Sequence, residues 1–141
     1  MIRYLLESNI VSEPARPSPA LQVQARLRAH AEEVCIPSVV WHELVYGVER
    51  LAPGRKRDFL THYLLEVVRP VMPVLPFDAA AAEWLGRERA RLEAIGRPHP
   101  VMDGMIAAVA ATRGLILVTR NTQDFDGFDG IHTENWFEEG R

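Results

Sequence analysis

Four short apolar runs punctuate the chain: "IRYLL" (2–6), "VCI" (34–36), "VMPVLP" (71–76) and "LILVT" (115–119). Longer amphipathic stretches separate them, and this alternation constrains the fold more than any other feature. Short runs of aliphatic and β-branched residues, bounded by turn residues, read as strands buried on both faces. The stretches between them carry apolar residues at helical spacing. Strands alternating with helices predict an α/β architecture, a central parallel sheet of about five strands flanked by helices. A last edge strand is expected near Ile131.

Local signals set the element boundaries. Pro14 and Pro17 end a short helical turn after the first strand. The segment 18–33 reads as a helix with Leu21, Ala25 and Leu27 or Arg28 at helical spacing. Pro37 and Ser38 introduce the helix "VVWHELVYGVERLA", with Ser38 as its N-cap. Another helix covers roughly 55–69. Asp78 caps a long helix that Gly96 ends. Pro100 opens the helix "VMDGMIAAVAATRG", which stops at Gly114.

The 141 residues suit a single domain over 1–141. No apolar run approaches the roughly 20 residues that span a bilayer. Glu7 interrupts the N-terminal apolar stretch too early for a signal peptide. The one cysteine, Cys35, excludes an internal disulfide, and its place in an apolar strand suits packing. These features predict a cytoplasmic protein without a membrane partner.

Four carboxylates stand where structure alone does not ask for them. In parallel α/β sheets the reactive groups gather beyond the carboxyl ends of the strands. Glu7 follows the first strand directly; charge complementing a helix N-terminus is the competing reading. Glu43 borders the buried stripe of its helix, three residues after Val40 and four before Gly47. Asp103 continues the inward stripe of Ala107 and Ala110, where an unpaired charge is costly. Asp124, with Asn121, lies in the loop after "LILVT"; ordinary turn chemistry is the alternative there. Asp126 and Asp129, in "DFDGFDG", read as turn residues. Carboxylates that converge without basic partners repel one another unless a cation neutralises them. All-oxygen donors select hard ions such as Mg²⁺ or Mn²⁺. Such ions polarise phosphoryl oxygens and generate hydroxide from bound water, chemistry suited to phosphodiester hydrolysis.

Other chemistries find no support. The formal net charge of −3 excludes a general nucleic-acid-coating protein. All but one of the 16 basic residues are arginine, a bias that genome composition explains as well as phosphate binding does. "HELVY" (42–46) has Tyr46 where the zinc motif H-E-x-x-H needs its second histidine. Neither a G-x-x-x-x-G-K-[ST] loop nor a G-x-G-x-x-G turn occurs. A phosphotransfer receiver domain would need an aspartate after the third strand and a lysine after the last. Asp78 reads as a helix cap, and Lys56 lies far from the final strand.

The ordered set resembles a known family. "YLLESNIVSE" is similar to the opening "LLDTNVLSE" of PIN-domain proteins, particularly VapC-type toxins of bacterial toxin–antitoxin pairs. "VVWHELVYGV" resembles their second motif, and "MDGMIAAVAATRGLILVTRNTQDF" their third and fourth. The likeness spans nearly the whole chain. It implies a PIN-like sandwich and Mg²⁺- or Mn²⁺-dependent endoribonuclease activity, commonly on structured RNA such as transfer RNA. By position it places Glu43, Asp103 and Asp124 at acidic site positions, with Asp103 and Glu7 holding the metal. Ser8 and Asn121 fall on supporting positions that orient ligands or water. The resemblance further implies a homodimer, silenced by a cognate antitoxin that meets operator DNA on the pair's behalf. Apolar residues around Phe59, Tyr63 and Leu64 are candidates for the dimer surface.

Glu7 departs from the family, which has aspartate there. The extra methylene displaces the carboxylate by about 1.5 Å, and Mg²⁺ demands near-ideal octahedral geometry. Three consequences fit: a folded-back rotamer that still binds metal, a slower enzyme, or an inactive one. The last leaves a PIN-fold module that acts by binding antitoxin or nucleic acid.

Overall fold

The computed structural model describes residues 1–138. Five strands form one parallel sheet: β1 (Tyr4–Leu6), β2 (Val34–Pro37), β3 (Val74–Leu75), β4 (Ile116–Val118) and β5 (Thr133–Glu134). Their spatial order is β3-β2-β1-β4-β5. Leu5 stands beside Cys35 on one side and Leu117 on the other, and Leu6 beside Val118. Successive residues of β1 and β2 are all buried, so both faces of the sheet are covered. Cys35 is packing, as expected: its thiol donates to the Tyr4 carbonyl, and burial pushes it up to about 12.

Six α-helices connect the strands: α1 (Ser8–Val11), α2 (Leu21–Ala29), α3 (Ser38–Glu49), α4 (Arg55–His62), α5 (Ala79–Ala94) and α6 (Val101–Arg113). A π-helical segment, Tyr63–Val68, continues α4. Asp78 caps α5 as expected, accepting from the Ala81 amide at 3.0 Å. Gly114 ends α6 in the left-handed conformation, with φ 64°. No helix among the described residues is long and apolar enough to cross a membrane.

Several local expectations need correction. Ser38 is the first residue of α3, not its cap; Pro37 holds the cap position without a side-chain bond. Pro100 likewise precedes α6 instead of opening it. Pro14 does not end the first turn: α1 stops before it, and Pro14 lies inside a separate 3-10 turn, Glu13–Ala15. In α2 the inward residue is Val23, fully buried, while Leu21 is 77% exposed. Leu27, four residues after Val23, packs against the core as expected, whereas Ala25 is exposed; the helix is shorter than the segment 18–33 implied. Of the three residues expected on the dimer surface, only Phe59 is exposed. Leu64 is buried in the core, and the Tyr63 hydroxyl donates to the Val11 carbonyl at 2.5 Å.

Strand order reverses between β1 and β4. From β1 the chain steps outward to β2 and β3, then returns across the sheet to β4 and β5. That switch point leaves a crevice beyond the carboxyl ends of β1 and β4. Glu7 and residues 119–121 follow those two ends directly.

Candidate active site

The last residue of β1 is buried, and the chain turns straight into α1. The Glu7 amide still donates to the Val118 carbonyl at 3.0 Å, so the residue stays docked on β4. Its side chain makes no capping bond to α1. Instead, one carboxylate oxygen, Oε2, accepts from both Thr119 Oγ1 and Asn9 Nδ2, the latter at 2.9 Å. Glu7 still occupies the N-cap position of α1, where its charge also complements the helix dipole.

Thr119 is fully buried. Its hydroxyl donates to Glu7 while accepting from the Asn121 amide at 3.1 Å, so both hydrogen-bonding roles are used. Asn9 bridges in the other direction, taking the Arg120 amide at 3.2 Å on Oδ1. Neither Thr119 nor Asn9 stood out in the sequence as a site residue. Their signal was positional only: a hydroxyl at the end of β4 and an amide two residues after Glu7.

Asp103 lies in the first turn of α6 and is half-buried. Its neighbour Gly104 lets α6 approach α5 closely; an added Cβ would stand 2.6 Å from Leu85 Cδ1. A side chain at 104 would require the end of the Leu85 side chain to move aside. Glu43 projects from the border of the α3 core face formed by Val39, Val40, Leu44 and Val48. Asp124 sits in a 3-10 turn, Thr122–Phe125, anchored by buried Phe125, and is itself exposed. The Asp124 amide donates to the Asn121 carbonyl at 3.0 Å.

The acids feel one another. Burial raises the Glu7 carboxyl above its ordinary value against the pull of its two hydrogen bonds, and the charges of Asp103 and Asp124 push it further up. Burial raises Glu43, and Glu7 and Asp103 add to the shift. Burial and then Asp124 raise Asp103, with His99 opposing weakly. Among the described residues none of these four acids has an ion-pair partner. Four elements that are distant in sequence thus bring negative charge to one crevice.

Ser8 and Asn121 lie beside the acids and make backbone hydrogen bonds there. The Ser8 carbonyl accepts from Ser12 Oγ at 2.7 Å. Asn121 contributes its backbone on both sides, to Thr119 and Asp124. Asp126 and Asp129 belong to the adjoining turns: the Asp126 carbonyl lies 3.0 Å from His99 Nε2, and the Asp129 amide donates to Glu88.

Residues 4–131 match the PIN domain family. The chain belongs to the PIN-domain family. Among relatives of this PIN domain is the tRNA(fMet)-specific endonuclease VapC of Shigella flexneri, 37% identical and covering 96% of this chain and 99% of the relative. Toxin FitB of Neisseria gonorrhoeae is 32% identical, covering 95% and 99%. The crystal structure of DNA-bound VapBC from Salmonella typhimurium superposes with a TM-score of 0.82 at 30% identity, covering 96% and 99%.

PIN-domain nucleases use a divalent metal. The acids of this PIN domain suit such an ion chemically: every side-chain donor is an oxygen, and among the described residues none of them has an ion-pair partner. Among the described residues no three His, Cys, Asp or Glu stand close enough together to enclose one without adjustment.

Proposed function

We propose that this chain is a Mg²⁺- or Mn²⁺-dependent endoribonuclease toxin of the cytoplasm, acting on structured RNA such as transfer RNA. The observation that carries the reading is the gathering of Glu7, Glu43 and Asp103 at one crevice, each raised by burial and by a neighbouring carboxylate, with Asp124 among those neighbours. The name of the Shigella flexneri relative supports RNA as substrate. Glu7 and Asp103 hold the metal, and Glu43 and Asp124 complete the acidic set. When bound, the ion supplies Lewis-acid polarisation of the scissile phosphate and an acidified water.

The protein's own groups do the positioning. Thr119 and Asn9 fix Oε2 of Glu7, which leaves Oε1 as its oxygen without a hydrogen-bond partner among the described residues. Glutamate at this position is held by these two donors, and we take it as a working ligand. Glu43, its carboxyl raised by burial and by the charges of Glu7 and Asp103, is assigned the role of proton acceptor. The Neisseria gonorrhoeae relative is named a toxin, which supports control by a cognate antitoxin. Operator DNA is reached through that antitoxin, as the DNA-bound VapBC relative suggests. The active unit is a homodimer.

Bulk transfer RNA incubated with the purified chain and Mn²⁺ should be cut internally, and EDTA should stop the reaction. Glu7→Asp should change the rate by less than about tenfold, because the neighbouring donors already seat the longer side chain. An uncut RNA pool from the parent, together with strong cleavage by Glu7→Asp, would contradict the reading of Glu7. It would favour a PIN-fold module that acts by binding.

A further inference from the structure

We propose that the cleft lined by Glu13, Arg16, Ser18, Gln22, Arg120 and Phe137 is a subsite for one unpaired nucleotide of the RNA strand. This assignment rests on the ribonuclease reading above. The cleft has a volume of about 330 Å³, at the lower end of small-ligand sites. It therefore suits a single nucleotide and not a helix.

Two features define what it takes. The Arg120 guanidinium lies over the Phe137 ring, 4.3 Å from its centroid. Phe137 is itself held at both ends, its amide donating to Asn135 Oδ1 at 2.9 Å and its carbonyl accepting from Gln22 Nε2 at 2.7 Å. The stacked pair presents a planar cation, on which an unstacked base can lie. Second, the cationic charge is available. Arg120 has no ion-pair partner among the described residues, and Arg16 meets only Glu13, at 3.9 Å, with its side chain 64% exposed. Glu13 is buried and turned toward its own loop, accepting from the Ala20 amide at 2.8 Å. An acidic peptide could pair with the arginines, but it would leave the stacking platform unused.

The cleft is joined to the acids through one side chain. Asn9 accepts from the Arg120 amide and donates to Glu7 Oε2. A polyanion approaching four carboxylates is repelled. Two arginines beside them offset that repulsion and fix where the strand lies. Arg16 takes the phosphate of the flanking nucleotide, and the Arg120–Phe137 pair takes its base.

The test is binding of a fluorescein-labelled oligoadenylate, followed by anisotropy in EDTA, with Asp103→Asn as background to prevent cleavage. Arg120→Ala and Phe137→Ala should each weaken binding about tenfold. Arg16→Ala should reduce the slope of log affinity against log salt by about 0.7. Arg87→Ala, an exposed arginine on α5, should change neither. Unchanged binding in the three cleft variants, or an equal loss in Arg87→Ala, would overturn the subsite. Transfer-RNA cleavage by the parent is measured alongside. Cleavage with unaffected cleft variants removes the subsite alone; weakened cleft variants without cleavage remove the ribonuclease reading alone.

Discussion

Asp103→Asn should lower RNA cleavage by about 10³-fold and leave the protein folded. A lost charge-stabilising group at a reacting phosphate is worth about 10²–10³ in rate, and here the same carboxylate is also a proposed metal ligand. The variant should moreover be harder to melt when metal-free. Asp103 has its carboxyl raised above the ordinary 3.8 by burial and by Asp124. A carboxyl raised in the folded state contributes stability below its unfolded value, and that contribution is lost as pH rises through the folded value. At neutral pH the charged form therefore opposes folding. A neutral amide removes this opposition and should raise the metal-free Tm by about 2–4 °C. Parent Tm should climb as pH is lowered from neutrality through the raised Asp103 value, and the variant's should climb less. An active, less stable Asp103→Asn would contradict both halves.

Trp136→Ala should cost about 3–5 kcal/mol, the cost of removing a large aromatic from a packed core. Trp136 is fully buried. Its ring meets Tyr4 edge-on at 5.2 Å and stacks on His30 at 5.5 Å, and its indole N–H donates to Glu134 at 3.0 Å. It pins the segment after β5 against β1 and α2. Since domain stabilities run at about 5–15 kcal/mol, the urea midpoint should fall by about 2 M. A shift under about 0.5 M would show that the C-terminal segment is not part of the core. The same segment carries Phe137, so the variant should also loosen the cleft at Arg120.

These two residues mark how far the sequence could be read. Asp103 was legible because helical periodicity fixes its direction: four residues before Ala107, it had to face inward. Glu43 was legible for the same reason, on the border of the Val40–Leu44 stripe. The strands were legible because a parallel sheet covered on both faces leaves unbroken apolar runs. Trp136 was not, since a lone aromatic in a short polar tail has no period to place it. Thr119 and Asn9 were missed because their function is a hydrogen bond to Glu7, and Thr119 reaches across 112 positions of sequence. In α2 Leu27 was read correctly but Val23 was missed and Leu21 misplaced, because a helix of nine residues carries too few apolar positions to fix a phase. Both side-chain hydrogen bonds that Glu7 accepts come from residues the sequence did not mark, so its setting could be read only from the fold.

The central claim is that the four acids form a metal-dependent site, and calorimetric titration with Mn²⁺ tests it most directly. The parent and Glu7→Asp should both bind Mn²⁺, with proton release that grows as pH is lowered, because the carboxyls are raised. Asp103→Asn should show no binding. A parent that binds no Mn²⁺, or an Asp103→Asn variant that binds as tightly as the parent, would contradict the account.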